Sequence, residues 1–193
     1  MLDDKCAAVD NDFLNHIAET KMPPKKIASY MTDAFSNLKL VAVMHTLVYE
    51  KEVLHNEQTD LFFDDHIIHV VDFSDIFQES SAKKKYYCQL VARFYNQLNG
   101  VHIPAAGETV LSYWKRQESL GEIHSLSMCL TTGCAIFLSD DGDSKYLKEY
   151  IERNSLGDVK VYNREEYFDL LKSQSGVEIS RSAVRALTHV ISR

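Results

Sequence analysis

The sequence contains little of what marks several large classes of protein. Its 193 residues include only 7 glycines and 3 prolines, which is too few for a turn-rich β-sandwich. It has no run of about 18 apolar residues, and its first residues lack the basic and then apolar pattern of a signal peptide. The 4 cysteines form no Cys-x-x-Cys pair, which favours reduced core thiols over zinc ligands or disulfides. We therefore expect a cytoplasmic protein that makes no contact with a membrane.

Positive charge is also scarce. The 21 basic residues against 28 acidic residues give a net charge of -7, which argues against a nucleic-acid coat protein held by bulk charge. Any nucleic acid must then meet a local group of cations. Lys115 and Arg116 directly follow Tyr113 and Trp114, and an aromatic ring beside two cations suits base stacking with phosphate contact. Lys115 and Arg116 are therefore candidate substrate contacts, with a solvated helix end as the alternative explanation.

Apolar, β-branched segments alternate with segments of helical periodicity along the chain. Such alternation predicts an α/β fold whose mainly parallel sheet is covered by helices on both faces. The length fits a single domain over residues 1–193. The candidate strands lie at about residues 6–9, 38–44, 66–71, 134–138 and 159–162.

Acidic residues follow the first and the fourth of these strands. The carboxyl ends of parallel strands lie at one edge of a sheet, where ligands bind, so the two groups are expected to meet. Each acid taken singly also suits a helix N-cap or a first helical turn. Like charges held together repel unless a cation lies between them, and the coincidence of both groups with Glu122 favours a divalent-metal site. The predicted metal ligands are Asp10, Glu122, Asp140, Asp141 and Asp143.

Other kinds of site fit the same segments poorly. Placing Gly142 at the sixth position of an EF-hand loop puts Phe137 at the first position, where an acid is required. A Rossmann dinucleotide site needs a glycine-rich turn after a strand, and none of the candidate strands has one. A receiver-like phosphotransfer domain needs a lysine after a late strand, and no such lysine follows Tyr162. Calcium sensing, dinucleotide binding and phosphotransfer are therefore disfavoured.

Three short motifs, in the same order, resemble those of PIN-domain nucleases. The segment 7–14 resembles an opening strand that ends in an aspartate and continues through polar residues into two apolar ones. Gly121 and Glu122 resemble the start of the central helix in one branch of the family. The segment 136–141 is similar to an apolar strand followed by Ser or Thr, any residue and Asp. The resemblance covers the start of the chain and about residues 120–172.

The resemblance implies a three-layer α/β/α sandwich and a Mg²⁺- or Mn²⁺-dependent ribonuclease, as in toxin ribonucleases of bacterial toxin-antitoxin pairs. Asp10 matches the first metal-binding acid of the family, Glu122 the third and Asp141 the fourth. The implied partners are an RNA substrate and an antitoxin-like protein, and a homodimer stays open beside a monomer. The rival hypothesis is a non-catalytic PIN-like interaction scaffold.

The second acid of the family, a glutamate on the helix after the second strand, has two candidates here. Glu50 and Glu52 lie about 200° apart on an α-helix, so only one of them can face the site. We prefer Glu50 as the catalytic acid, because turning it inward also turns Leu47 and Leu54 inward.

The chain between the first and third motifs is longer than a minimal PIN domain needs. We therefore expect an insertion that contains a strand and helices at about residues 57–118. This departure from the family concerns the class of RNA substrate more than the fold.

These acids suit hydrolysis of a phosphodiester by metal-activated water. Oxygen ligands without clustered histidine or cysteine favour Mg²⁺ or Mn²⁺ over zinc. Asp12 and Ser139 are predicted to contact substrate, while His45 and His124, the histidines nearest the acids, are expected to be structural. The catalytic carboxylates of this hypothesis are Asp10, Glu50, Glu122 and Asp141.

Overall fold

Five parallel strands form a single sheet at the centre of the computed structural model. The structure describes residues 5–18, 22–54, 56–57, 59–64, 66–104, 110–111, 119–174 and 179–188. Along the sheet the order is β3-β2-β1-β4-β5. The strands are β1 (Cys6–Val9), β2 (Val41–His45), β3 (Ile68–Val71), β4 (Ile136–Leu138) and β5 (Lys160–Tyr162).

Helices connect the strands and follow the last of them. No helix in the described segments has the length and apolar character needed to cross a membrane. The described helices are α1 (Asn11–Ala18), α2 (Pro24–Asn37), α3 (Thr46–Val48), which continues into a π-helical turn (Tyr49–Val53), α4 (Leu61–Asp64), α5 (Phe73–Phe77), α6 (Ser81–Asn99), α7 (Leu120–Thr132), α8 (Gly142–Arg153), α9 (Arg164–Ser173) and α10 (Arg181–Thr188).

Both faces of the sheet are covered by apolar helix faces. Side chains alternate across a strand, so Cys6 and Ala8 face one helix layer while Ala7 and Val9 face the other. The first layer contains α5, α6, α7 and α8, and the second contains α1, α2, α4, α9 and α10. The predicted α/β fold, a three-layer α/β/α sandwich with a parallel sheet, is therefore confirmed.

The segment 57–118, predicted as an insertion, contributes to this same sheet and core. Its strand β3 pairs with β2 at the edge of the sheet. Its long helix α6 buries Tyr87, Val91 and Phe94 in the first helix layer. The described part of this segment is thus packed into the main fold.

The direction in which successive strands are added to the sheet changes between β1 and β4. The chain builds outward from β1 to β2 and β3, and then returns to add β4 and β5 on the other side. The connections on the two sides of this point leave the sheet in opposite directions and open a crevice at the carboxyl ends of the strands. Asp10 follows β1 and Ser139 follows β4, so both lie at this crevice.

Candidate metal centre

Asp10 occupies the crevice as a buried and incompletely bonded carboxylate. Its backbone N–H donates to the carbonyl of Leu138 at 2.9 Å, so the pairing of β1 with β4 continues through it. The Ser139 hydroxyl donates to Asp10 Oδ2 at 3.1 Å. Asp10 is only 2% exposed, and its Oδ1 accepts no hydrogen bond within the described part of the protein. Buried polar atoms are nearly always paired, so this oxygen is available to a ligand.

Gly121 makes room for the Asp10 carboxylate at the start of α7. A Cβ atom at position 121 would lie 2.5 Å from Asp10 Oδ1, which is closer than any van der Waals contact allows. Glycine is unfavourable inside a helix by about 1 kcal/mol relative to alanine, so its presence here has a steric explanation. The Gly-Glu pair singled out in the sequence therefore has a physical role, in which Gly121 admits Asp10 and Glu122 faces it.

Three carboxylates converge beside Gly121. Asp10, Asp12 and Glu122 each offer an oxygen, and these three oxygens all lie within 4.8 Å of one another. They line a pocket of about 280 Å³, to which Asp141 and Glu52 also contribute. The structure thus brings Asp10, Glu122 and Asp141 together, as predicted. Asp12, predicted as a substrate contact, belongs to the same carboxylate group.

Burial strongly perturbs two of these acids. Burial and the charge of Asp12 raise the pKa of Asp10 to about 7. Burial and the charge of Asp10 raise the pKa of Glu122 to about 9. Without a cation the cluster therefore binds protons near neutral pH, and a divalent cation would displace those protons and remove the repulsion.

Glu52, rather than Glu50, joins this pocket. Burial, followed by the charges of Asp10 and Asp12, raises the pKa of Glu52 to about 8. Glu50 is exposed and does not line the pocket. The preference for Glu50 as the inward-facing acid is therefore corrected to Glu52.

The cause of this correction is the π-helical turn over Tyr49–Val53. The backbone N–H of Leu54 donates to the carbonyl of Tyr49 at 2.8 Å, which is the five-residue spacing of a π-helix. This wider turn changes the directions of side chains that an α-helical projection assumes. Leu54, which was expected to turn inward with Glu50, is 48% exposed.

Asp141 combines a structural role with its place in the pocket. Its carboxylate accepts a hydrogen bond of 2.7 Å from the backbone N–H of Asp143 and so caps α8. The Asp143 carboxylate accepts from the Ser119 hydroxyl at 2.9 Å and does not line the pocket. Asp141 thus caps α8 and lines the pocket but lies outside the group of three carboxylates, and the predicted ligand Asp143 lies outside both.

Ser139 positions Asp10 from inside the protein. Its hydroxyl donates to Asp10 and accepts from the Ser144 hydroxyl at 2.8 Å and from the Asp141 backbone N–H at 3.2 Å. Ser139 is buried, so the predicted direct contact with substrate is replaced by a positioning role. The other predicted contacts, Lys115 and Arg116, lie outside the described residues.

Asp140, which was predicted to bind metal, forms hydrogen bonds with His16 and with the backbone of Arg164. Its Oδ2 lies 2.6 Å from Nδ1 of His16, and its Oδ1 accepts from the backbone N–H of Arg164 at 2.8 Å. The Arg164 side chain is buried, with Nε 3.9 Å from Asp140 Oδ2. Asp140 therefore lies beside the carboxylate cluster but outside it.

His45 and His124 form a buried polar chain with Tyr87. Nδ1 of His45 accepts from the Leu47 backbone N–H at 3.0 Å, which leaves the proton of the neutral ring on Nε2. That Nε2–H donates to the Tyr87 oxygen at 2.8 Å, and the Tyr87 O–H donates to His124 Nδ1 at 2.6 Å. Burial lowers the pKa of His124 to about 3, so both rings stay neutral and serve as links between β2, α6 and α7. The expected structural role of these histidines agrees with this geometry.

Sequence reasoning missed three features of the site. Gly121 carries a signal that was recognised only as part of a motif, because its contact with Asp10 spans over a hundred residues. The pairing of His16 with Asp140 joins residues 124 positions apart and has no local signal. Lys51 also lines the pocket and adds a cation to its acidic wall.

The donor set fits a small divalent cation. Hard cations such as Mg²⁺ and Mn²⁺ prefer carboxylate oxygens, and the described cluster consists of carboxylates alone. The unpaired, buried Asp10 Oδ1 provides a ligand atom that the protein itself does not use. Comparisons of the chain with models of protein families, with curated proteins and with solved structures gave no match.

Proposed function

We propose that this protein is a Mg²⁺- or Mn²⁺-dependent ribonuclease whose cation is held by Asp10, Asp12 and Glu122. The observation that carries the proposal is the convergence of these three carboxylates within 4.8 Å at the crevice between β1 and β4. Two of the three are buried, and the protein supplies no partner for Asp10 Oδ1 among its described residues. Such a group has a large electrostatic cost without a cation, which a purely structural role does not explain.

Hydrolysis of a phosphodiester is the chemistry that suits this pocket. When bound, the cation supplies an activated water and neutralises charge on the leaving oxygen. Asp10, fixed by Ser139 and by the ladder with β4, would hold the cation in the crevice. Glu52 and Asp141 line the remaining wall and can orient a water by accepting its hydrogen bonds.

RNA is the proposed substrate because the same residues resemble the PIN-domain motifs. The resemblance includes Asp10, the Gly121-Glu122 pair and Asp141, all of which lie at one pocket or against it. The all-parallel sheet with the acids at its carboxyl edge is also the arrangement that the resemblance implies. An antitoxin-like protein partner belongs to the same proposal and rests on the resemblance alone.

The test is cleavage of labelled single-stranded and structured RNA in Mg²⁺, in Mn²⁺ and in EDTA. We expect metal-dependent cleavage by the wild type and none in EDTA. Asp10→Asn and Glu122→Gln should abolish cleavage and should lower Mn²⁺ affinity in calorimetry. Cleavage that survives both substitutions contradicts the proposed site.

Adjacent glutamates provide a matched control. Glu52→Gln removes a carboxylate that lines the pocket, whereas Glu50→Gln makes the same chemical change at an exposed position two residues away. We expect Glu52→Gln to slow cleavage by at least about tenfold and Glu50→Gln to have the wild-type rate. If the well-folded wild type neither cleaves RNA nor binds Mn²⁺, the scaffold hypothesis replaces the nuclease.

A further inference from the structure

His16 is an oriented imidazole at the border of the carboxylate cluster. It lies on α1, four residues after Asp12, so the two side chains are neighbours on one face of the helix. Its Nδ1 lies 2.6 Å from Asp140 Oδ2. Because an ionised carboxylate only accepts hydrogen bonds, this nitrogen is the donor.

Asp140 is itself held firmly. Its other oxygen accepts from the Arg164 backbone N–H at 2.8 Å, and the buried Arg164 guanidinium lies 3.9 Å away. A carboxylate held in this way fixes the plane of the imidazole bonded to it. Asp140 and Arg164 thus hold the His16 ring in one orientation at the carboxyl edge of the sheet.

The second ring nitrogen of His16 remains available. Nε2 has no hydrogen-bond partner in the described part of the chain, and the His16 side chain is 41% exposed. His16 is also close enough to Asp12 to oppose the rise that burial and Asp141 produce in the Asp12 pKa. His16 therefore lies beside Asp12 of the carboxylate cluster, next to the residues that line the pocket.

A second metal does not fit this position. The carboxylate group that can hold an ion consists of Asp10, Asp12 and Glu122, and neither His16 nor Asp140 belongs to it or to any other such group of described residues. An anion fits better, since the protein carries a net charge of -7 and a phosphate approaching an acidic pocket needs a local cation. A ring that donates from both nitrogens joins Asp140 at Nδ1 to an anion at Nε2.

We propose that His16, oriented by Asp140, binds a backbone phosphate of the RNA next to the carboxylate cluster. This proposal rests on the proposed ribonuclease function and adds a substrate-binding residue to it. In the complex, the Nε2–H donates to a non-bridging phosphate oxygen. Asp140 acts as a positioning residue.

The test measures binding of a short fluorescent single-stranded RNA by anisotropy, in EDTA so that no strand is cut, over a series of salt concentrations. We expect His16→Ala to weaken binding about tenfold, which is the loss of one charge-assisted contact. The slope of log affinity against log salt should fall by about 0.7, the value for one phosphate contact to a single strand. His16→Gln, which keeps an amide without the charge, should show the same fall in slope.

Two further variants separate binding from structure. Asp140→Asn removes the carboxylate that orients the His16 ring, so its salt slope should fall as well. The double variant with His16→Ala should lose no more slope than His16→Ala alone, because both changes remove one contact. His69→Ala, which removes an exposed histidine on β3, two strands away from β1, is the matched control and should keep the wild-type slope.

The outcomes distinguish this proposal from the ribonuclease proposal. Wild-type affinity and slope in both His16 variants overturn the role of His16, while cleavage by the wild type leaves the proposed function intact. RNA binding with the expected change in slope but without cleavage supports His16 and overturns the nuclease. A wild type that neither binds nor cleaves RNA overturns both proposals. Calorimetry should show Mn²⁺ binding in both the wild type and His16→Ala, because His16 lies outside the metal group.

Discussion

Replacing Asp10 with asparagine should stabilise the metal-free protein at high pH and abolish its response to metal. Asparagine has nearly the same shape as aspartate and carries no charge. The folded protein raises the pKa of Asp10 from 3.8 to about 7. The folded state therefore binds more protons than the unfolded state between these values, and stability falls as the pH rises through this range.

The size of the effect follows from the same shift. Roughly three pKa units correspond to about 4 kcal/mol, which is the cost of ionising Asp10 in the fold above about pH 7. At about pH 5 the cost is only about 2 kcal/mol, because Asp10 is then protonated in the folded state. An asparagine Nδ2 placed at the unpaired Oδ1 position costs about 1–3 kcal/mol as a buried donor without a partner. Asp10→Asn should thus be nearly neutral at about pH 5 and more stable than the wild type by about 1–3 kcal/mol at about pH 9.

Chemical denaturation of the wild type and of Asp10→Asn, at both pH values, measures this difference directly. In EDTA the gain in the free energy of unfolding should appear only at the higher pH. With Mn²⁺ at about a hundred times its dissociation constant, the wild type should gain about 3 kcal/mol and the variant much less. Asp158→Asn, at an exposed position just before β5 and at the opposite edge of the sheet, is the matched control.

Two results would refute this reasoning. One is an Asp10→Asn protein that is destabilised equally at both pH values, which would mean that the wild-type carboxylate is not strained by burial. The other is an equal stabilisation of the variant and the wild type by Mn²⁺, which would place the cation elsewhere. Either result removes the physical basis of the proposed metal centre.

Two further substitutions test the packing around the site. Gly121→Ala places a methyl group 2.5 Å from Asp10 Oδ1, so the Mn²⁺ affinity measured by calorimetry should fall at least about tenfold. The gain in helix propensity of about 1 kcal/mol limits the loss of stability. An unchanged affinity would show that Asp10 can move freely. Tyr87→Phe leaves a donor on His45 and an acceptor on His124 without partners, so the free energy of unfolding should fall by about 2–4 kcal/mol in denaturant melts. A loss below about half a kcal/mol would contradict the hydrogen-bonded chain.

The carboxylate cluster is an unfavourable group of like charges, and metal binding would account for its presence. Asp10 and Glu122 are buried and Glu52 is half-buried, and burial together with their mutual repulsion raises the pKa of all three. A bound cation would convert this repulsion into attraction, and it would link stability to ligand binding through the same side chains.

Much of the architecture was predictable because it depends on patterns of residues that are close together in the sequence. The apolar runs at β1 and β4 and the helical periodicity between strands are local patterns, and they predicted the parallel sheet with helices on both faces. The edge at which the acids lie follows from the same logic, because every parallel strand ends at one side of the sheet. Asp10, Glu122 and Asp141 were therefore placed together from the sequence.

The remaining parts of the site depended on how distant segments pack. Glu52 faces the pocket because one turn is π-helical, and the choice between α- and π-helical hydrogen bonding is made by tertiary contacts rather than by periodicity. The contacts of Asp10 with Gly121 and of His16 with Asp140 join segments over a hundred residues apart. Such contacts exist only after the chain has crossed from one side of the sheet to the other. Local sequence patterns thus account for the strands, the helices and the edge at which the acids meet, whereas the packing of distant segments selects the side chains that point into the pocket and those held beside it.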